Sequence, residues 1–474
     1  MGASALRRGI KMHRVIFVIA LFLQLPAFAD VLTPVRLAAV LNAPGWLTLK
    51  GETRGRYESL DGQFRAGRDG GDQLLLLRTL LLAEADAGPV SFGIELQDSR
   101  AYLGDAGTPL SSSFVNPLDV LQLYTRLNKL PGLLGSHSAS QLMLGRQTVS
   151  IGSKRQIERV SYANVLNSYT GLHLMGTAPR GDELHLFYVV PIERFPARRP
   201  ALDDNELAGD KEQWGRRIWG VHYRRADILP QTLPDLWGEM FAYGLEERDS
   251  STVATPDRSY VTPGFRLYRK PQAGRWDLDL EAALRRGRRS ATSNPADSQS
   301  LKVDADMFYG ALGYSFDLPW RPRLALEYYY ASGDKDPRDL VFGQYERLFG
   351  SRRTDLNNTS LHGPLTPANL SAPGLRLQVT PNARWDGWIQ YHAAALASNT
   401  DSWVIARLRD PTGQSGDFIG HTLDARARYW VVPASLRLEL GASGLVYGEF
   451  ASNVPGGPAG DRTLSIYAEL TLTF

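Results

Sequence analysis

The chain has 474 residues with 53 basic and 50 acidic side chains, a formal net charge of +3, and no cysteine. This balance excludes a global field that would recruit nucleic acid or anionic lipid, so partners must be argued locally. The missing thiols exclude disulfides, thiolate metal sites and cysteine nucleophiles.

Hydrophobic residues make up 43% of the chain, as in a water-soluble protein, but a barrel wall that meets lipid only at every second residue hides its apolar face from such averages. At the amino end, Arg7, Arg8, Lys11 and Arg14 precede an apolar run from Val15 to Leu25 and the small-residue box Ala27-Phe28-Ala29. That order predicts a cleaved export signal over 1–29, because the run is well short of the ~20 residues a spanning helix needs. No later segment approaches that length, so any membrane crossing by 30–474 must use strands closed on themselves.

From Trp46 the pattern has period two. Residues 46–58 place Leu47, Leu49, Gly51, Thr53, Gly55 and Tyr57 on one face and Lys50, Glu52, Arg54, Arg56 and Glu58 on the other, a second face no soluble core would hold. Similar strands are predicted over 73–86, 90–99, 120–127, 140–150, 169–177, 183–193, 216–225 and 236–247. Others follow over 260–268, 276–285, 302–316, 323–332, 374–380, 385–396, 418–430, 435–447 and the carboxyl end. The connections alternate between short Pro/Gly-containing turns and long polar loops, the longest at 334–372, as in a barrel with periplasmic turns and external loops. The final segment alternates Leu464, Ile466, Ala468, Leu470, Leu472 and terminal Phe474 with polar residues, in the manner of the closing strand that outer-membrane assembly machinery reads. The expected fold is therefore all-β: one transmembrane antiparallel β-barrel of about 18 strands.

Two stretches carry a family resemblance. One is Gly145-Arg146-Gln147, then Gly152-Ser153-Lys154-Arg155, Asn164 and Ser168-Tyr169-Thr170-Gly171; the other runs from Leu326 through Ser332-Gly333-Asp334-Lys335-Asp336-Pro337 to Tyr345-Glu346-Arg347-Leu348-Phe349-Gly350. With a weaker echo at Asp410-Pro411-Thr412-Gly413, they make the chain similar to the alginate export family of outer-membrane porins. The resemblance implies a barrel channel. It leaves the cargo open, because a fold does not fix what passes through it.

Parity places Lys50, Arg54, Arg56, Arg78, Arg126, Arg285, Arg426, Arg428 and Arg437 in the lumen, where guanidinium groups would pass carboxylates from one contact to the next. It also places acids there, among them Glu52, Glu58, Glu84, Asp277, Asp279, Glu281, Asp304, Asp306, Asp424 and Glu439, which would pair with the cations across neighbouring strands. Arg146 shares parity with Leu142 and Leu144, and a bulge at Gly145 is expected to return it to the lumen. The loop after Ser332, with Gly333, Asp334 and Asp336, is the expected constriction. Its carboxylates lack the spacing of a calcium loop, and no metal or other cofactor is implied.

His137, His173, His185, His222, His362, His392 and His421 are scattered, without the serine, zinc or phosphate-loop motifs of enzymes, so no catalysis is expected. The sequence thus reads as a passive outer-membrane channel for an anionic saccharide such as alginate. Uptake of small organic solutes and a loop-plugged structural or receptor barrel remain alternatives.

Overall fold

The computed structural model describes residues 34–250, 253–297, 299–353 and 355–474; the expected export signal lies outside them. The first seven strands are β1 (Leu47–Asp61), β2 (Gly71–Asp86), β3 (Val90–Tyr102), β4 (Asn116–Leu130), β5 (Ala139–Gln147), β6 (Tyr169–Thr177) and β7 (Glu183–Glu193). After the two-residue β8 (Lys211–Glu212) come β9 (Arg216–Arg225), β10 (Leu236–Glu247), β11 (Ser259–Arg269), β12 (Arg275–Ser290), β13 (Ser300–Ser315) and β14 (Arg323–Ala331). A second short piece, β15 (Val341–Phe342), precedes β16 (Leu370–Asn382), β17 (Trp385–Ala395), β18 (Phe418–Val432), β19 (Leu436–Tyr447) and β20 (Arg462–Thr473). With β8 and β15 set apart, 18 strands form one closed antiparallel barrel, sealed where β1 pairs with β20 from Glu52 opposite Thr473 to Asp61 opposite Leu464. Closure leaves no edge strand, which is what hydrocarbon requires of a sheet.

The terminal residue completes the seal. Phe474 and Gly51 exchange backbone hydrogen bonds of 2.7 and 2.9 Å, and the ring fills the space a Cβ at Gly51 would take, 2.2 Å from Phe474 Cε2. The alternation expected of β1 is present: Arg54, Arg56 and Glu58 are buried inside, whereas Tyr57 on the other face is exposed. Aromatic pairs mark the ends near the short turns, with Trp276 against Tyr314 at 5.2 Å and Trp385 against Tyr429 at 4.5 Å, positions suited to an interfacial girdle.

β2 departs from the usual pattern, because Leu74, Leu76 and Leu80 on its inner face are buried while Leu77 and Leu81 face outward. A water-filled lumen would not tolerate that apolar row. It is covered by inward-folded chain, Leu361 lying in one apolar cluster with Leu74 and Leu76, and Leu166 in another with Leu80. The largest cluster also lies inside the barrel, where wall residues such as Phe187, Tyr243, Met307 and Tyr329 enclose Ile151, Ile157, Tyr345 and Leu356.

The acids that parity places inside on β12, Asp277, Asp279 and Glu281, do face the lumen, but two on β13 do not. Val303, Ala305 and Met307 are the residues buried inside, so Asp304 and Asp306 face outward. Apolar packing against the interior core decides the facing of this strand.

Candidate functional site

Two long connections, 148–168 and the described parts of 343–369 (343–353 and 355–369), enter the lumen and together form a crosspiece. Loop backbone inside a barrel has no ladder to satisfy its carbonyls, so side-chain donors must do so. Arg54 donates to Tyr162 O at 2.9 Å and Ala163 O at 3.1 Å, Arg56 to Tyr162 O at 2.6 Å, and Arg78 to Ser161 O at 2.8 Å. The Arg56 guanidinium also lies 3.8 Å over the Tyr162 ring. Glu469 neutralises this cluster from 3.4 Å at Arg56 and 3.8 Å at Arg54, and Glu52 pairs with Arg78.

The opposite end is held by Arg155, bound to Asp279 and Glu281 of β12, each at 2.8 Å, and to Asp355 of the second segment at 2.9 Å. Its guanidinium stacks on Tyr309 at 3.8 Å. The two segments pair directly, Phe349 N donating to Gln156 O at 2.9 Å and Ser351 N to Lys154 O at 2.9 Å. Beyond this pairing, Arg353 binds Glu439 at 2.7 Å, and Leu361 N donates to Glu58 Oε2 at 3.0 Å. A Cβ at Gly350 would sit 1.8 Å from Arg155 O, a backbone atom that cannot swing aside. Gly350→Ala should therefore separate the segments and raise channel noise and mean conductance in planar bilayers, while the heat-modifiable gel migration of the folded barrel stays unchanged.

The family-motif residues Gly152 to Arg155 and Tyr345 to Gly350 are thus the crosspiece itself. The lumen-facing arginines have a different role from the one expected of them. Arg54, Arg56, Arg78 and Arg285 are at most 3% exposed; they fasten the crosspiece, and of the four only Arg56 borders the chamber on its external side. Arg285 donates to the Glu346 backbone oxygen and is flanked by the Tyr260 and Tyr345 rings at 4.5 and 4.3 Å. Arg126 pairs with Glu84 at 2.7 Å, Arg437 with Glu469 at 3.1 Å, and Arg426 and Arg428 share Asp386 at 3.1 and 2.8 Å. Lys50 is exposed near the short-turn end of β1.

Arg146 is a further correction. Gly145 adopts a φ of +112°, but the register runs unbroken from Ala139 to Gln147 against β6 and from Leu142 to Arg146 against β4, so no residue is inserted. Arg146 stands opposite the outward-facing Leu123, and it escapes lipid by lying at the loop end of β5 against Asp119 (3.6 Å) and Asp210 (3.1 Å). Burial, then the neighbouring Asp119, push the Asp210 carboxyl up to about 6.

Gly333, Asp334 and Asp336 are corrected as well. They belong to the rim, where Asp334 N donates to Asp401 Oδ2 at 2.8 Å and Asp336 pairs with the exposed Arg338 at 3.0 Å. The narrowing comes from 148–168 and from the later part of their own loop.

On the external side of the crosspiece is a cavity of about 1160 Å³ lined by nine arginines and three aspartates. Three of the arginines are paired: Arg56 with Glu58 at 3.4 Å, Arg199 with Asp203 at 2.9 Å and Arg353 with Glu439 at 2.7 Å. Among the described residues, Arg65, Arg68, Arg194, Arg347, Arg352 and Arg407 have no carboxylate at ion-pair distance. Enclosure and the neighbouring Arg347 and Arg65 bring Arg352 down to about 9. Enclosure and the adjacent Arg68, with Arg407 beyond, bring Arg65 down to about 10. Both stay charged at neutral pH, so the chamber holds unbalanced cations, a ready site for carboxylates. All six lie in loops, where strand parity has no reach.

Three of the histidines that are scattered in sequence meet on the inner wall: His173 Nε2 is 3.1 Å from His185 Nδ1, and His222 Nε2 lies 3.6 Å from Glu239 Oε2. Gly152 of the crosspiece sits directly above His222. Among the described residues no group of three such side chains is placed to hold a metal ion.

The alginate export family profile matches residues 45–464. No curated protein sequence matches the chain. Among solved structures the barrel is similar to OccK9 (OpdG) of Pseudomonas aeruginosa, with a TM-score of 0.58 and 12% identity over 90% of this chain and 98% of that one. A BenF-like porin from Pseudomonas fluorescens Pf-5 gives a TM-score of 0.57 at 11% identity, over 90% and 99%. OccK2 (OpdF) of Pseudomonas aeruginosa in complex with glucuronate gives 0.53 at 14%, over 90% and 96%. Identities this low carry the fold alone.

Proposed function

The chain belongs to the alginate export family, and from that premise we propose that it is a passive outer-membrane channel for an anionic saccharide, a polyuronate such as alginate. The observation that carries this reading is the chamber of unpaired arginines above the crosspiece. Guanidinium forks bind carboxylates in two parallel hydrogen bonds, and here they repel one another until an anion arrives. A chain bearing one carboxylate per sugar would exchange contacts along the arginines, no single one holding it fast. OccK2, a barrel of the same fold, has been solved in complex with glucuronate, which makes a uronate the first ligand to test here. No energy source is needed, and the gradient sets the direction. The alternating segment that ends in Phe474 is the natural signal for the barrel-assembly machinery.

The crosspiece supports a second reading, uptake of small organic anions, since two braced segments leave less room than an open porin. Planar-bilayer conductance of the mature protein under a potassium chloride gradient separates the two. Anion preference with concentration-dependent block by oligouronate supports the polymer. Block by glucuronate and not by oligouronate supports the small solute, and silent bilayers remove both.

Block by oligouronate should be constant from pH 5 to pH 8 and fall as pH rises through 9 and 10. A carboxylate stays ionised over the whole span, whereas Arg352 and then Arg65 lose their charge at its upper end. Titration of the block in the same bilayers measures this.

A further inference from the structure

On the outer wall, one row of register across five strands collects charge. Arg217 of β9 stands opposite Glu246 of β10, followed by Ser259 of β11, Arg288 of β12 and Lys302 of β13. The next row towards the short turns holds Trp219, Gly244, Val261, Arg286 and Asp304 in the same order. These side chains point away from the lumen, because Ile218, Arg285, Val303 and Ala305, their neighbours along the strands, are the residues buried inside. Farther down the same strands the outer face turns apolar, with Met240, Phe265, Leu284 and Phe308 exposed. The charged rows therefore sit at the loop end of the apolar belt, where lipid headgroups begin.

Asp304 lies between Arg286 at 2.9 Å and Lys302 at 3.1 Å, so one carboxylate gathers two cationic heads. Among the described residues Arg288, beside Lys302 in the ladder, has no carboxylate partner, and neither has Arg217. Asp306, one row farther in, faces the Leu284 level, and Glu246 separates Arg217 from the other cations. The surplus positive charge is therefore at Arg286, Arg288 and Lys302. Neighbouring strands are ~4.8 Å apart, which brings these three heads within reach of one phosphate, a group with several strong acceptor oxygens.

We propose that Arg286, Arg288 and Lys302 form a docking site for the phosphate of a glycolipid headgroup in the outer leaflet. The proposal rests on the outer-membrane placement above but not on what the lumen carries. A phosphate here would be held by guanidinium and ammonium donors from two adjacent strands, with the acyl chains against Leu284 and Phe308 below. The arrangement also accounts for exposed cations on the outside of a barrel whose overall charge is near zero.

Native mass spectrometry of the mature barrel in detergent, titrated with diphosphoryl lipid A, tests it. The unmodified protein should retain the lipid, and R288A/K302A should bind it at least tenfold more weakly, since each cation near an anionic lipid surface contributes to attraction. R338A, which removes an exposed cation from a rim loop, should bind as the unmodified protein does. Should the double variant not refold, as judged by heat-modifiable migration, R288A alone should show a loss of roughly threefold or more. Equal retention by the variants and the unmodified protein would overturn the proposal, as would equal binding of a dephosphorylated lipid A or displacement by low millimolar inorganic phosphate. Channel conductance and oligouronate block of R288A/K302A should be unchanged, so a failure here and a failure of the channel reading are told apart.

Discussion

Replacing Arg155 by alanine should unlock the lumen: single-channel conductance should rise several-fold and anion preference should decline, with the barrel still folded. Arg155 is buried and holds Asp279 and Glu281 of the wall together with Asp355 of the second inner segment. Removing one partner of a buried ionic group costs about 3–5 kcal/mol, because the remaining charges are left enclosed and uncompensated. Arg266 still pairs with Asp279 at 2.7 Å, so the wall keeps a partner while the crosspiece loses its pin. The ladder of 18 strands does not depend on this group. Bilayer recordings beside heat-modifiable migration read both halves of the expectation. Arg155→Lys should behave almost as the alanine variant does, since a point charge cannot make the three-way fork. Unchanged conductance in Arg155→Ala would mean that the crosspiece is held by its other anchors, the Arg54, Arg56 and Arg78 cluster, Arg285 and Arg353.

The second large effect concerns the chamber. Neutralising Arg65, Arg347 and Arg352 together as glutamines should weaken oligouronate block by two orders of magnitude or more. A hydrogen bond to a charged group contributes about 1.5–3 kcal/mol, and about 1.4 kcal/mol is tenfold in affinity, so the loss of three exceeds a hundredfold even after partial compensation. Replacing Arg426 and Arg428 in the same way should change block less than threefold, because their heads are committed to Asp386. The reverse order of effects, large for the wall pair and small for the loop triple, would move the binding site from the external chamber to the wall. The strand ladder should survive both changes: the loop triple relieves mutual repulsion but removes the Arg347 and Arg352 donors from the carbonyls of Gly350, Gly363 and Leu365, whereas the wall pair strands Asp386.

These contrasts explain which parts of the site the sequence disclosed. Parity identifies the face on which a strand residue stands, and it placed Arg54, Arg56, Arg78 and Arg285 on the inner face correctly. It carries no information on whether that face meets water or another piece of chain, so residues that brace a crosspiece read as lining a passage. One signal did point to inward-folded chain: residues 74 to 83 are apolar on both faces of β2 apart from Arg78 and Thr79. That is the pattern of a strand buried on both sides. The chamber arginines gave no comparable signal, since Arg65, Arg194, Arg347 and Arg352 lie in loops that the fold brings together from distant parts of the chain.

The sequence by itself determined the barrel. Period-two alternation, the strict exchange of short turns and long loops, and a closing strand ending in Phe474 are local properties, and the backbone's need for hydrogen bonds in hydrocarbon leaves closure as the one solution for such strands. Several boundaries are legible to the residue, as for β6, β7, β9 and β10. Only the tertiary structure decided what the interior is. Which loop enters the lumen, that Asp304 and Asp306 turn outward, that Arg146 needs no bulge, and that three histidines meet on one wall all depend on packing between segments far apart in sequence. Those choices are made by the apolar core that Ile151, Ile157 and Tyr345 build inside the barrel, and by whether each buried guanidinium finds a carbonyl or a carboxylate within reach.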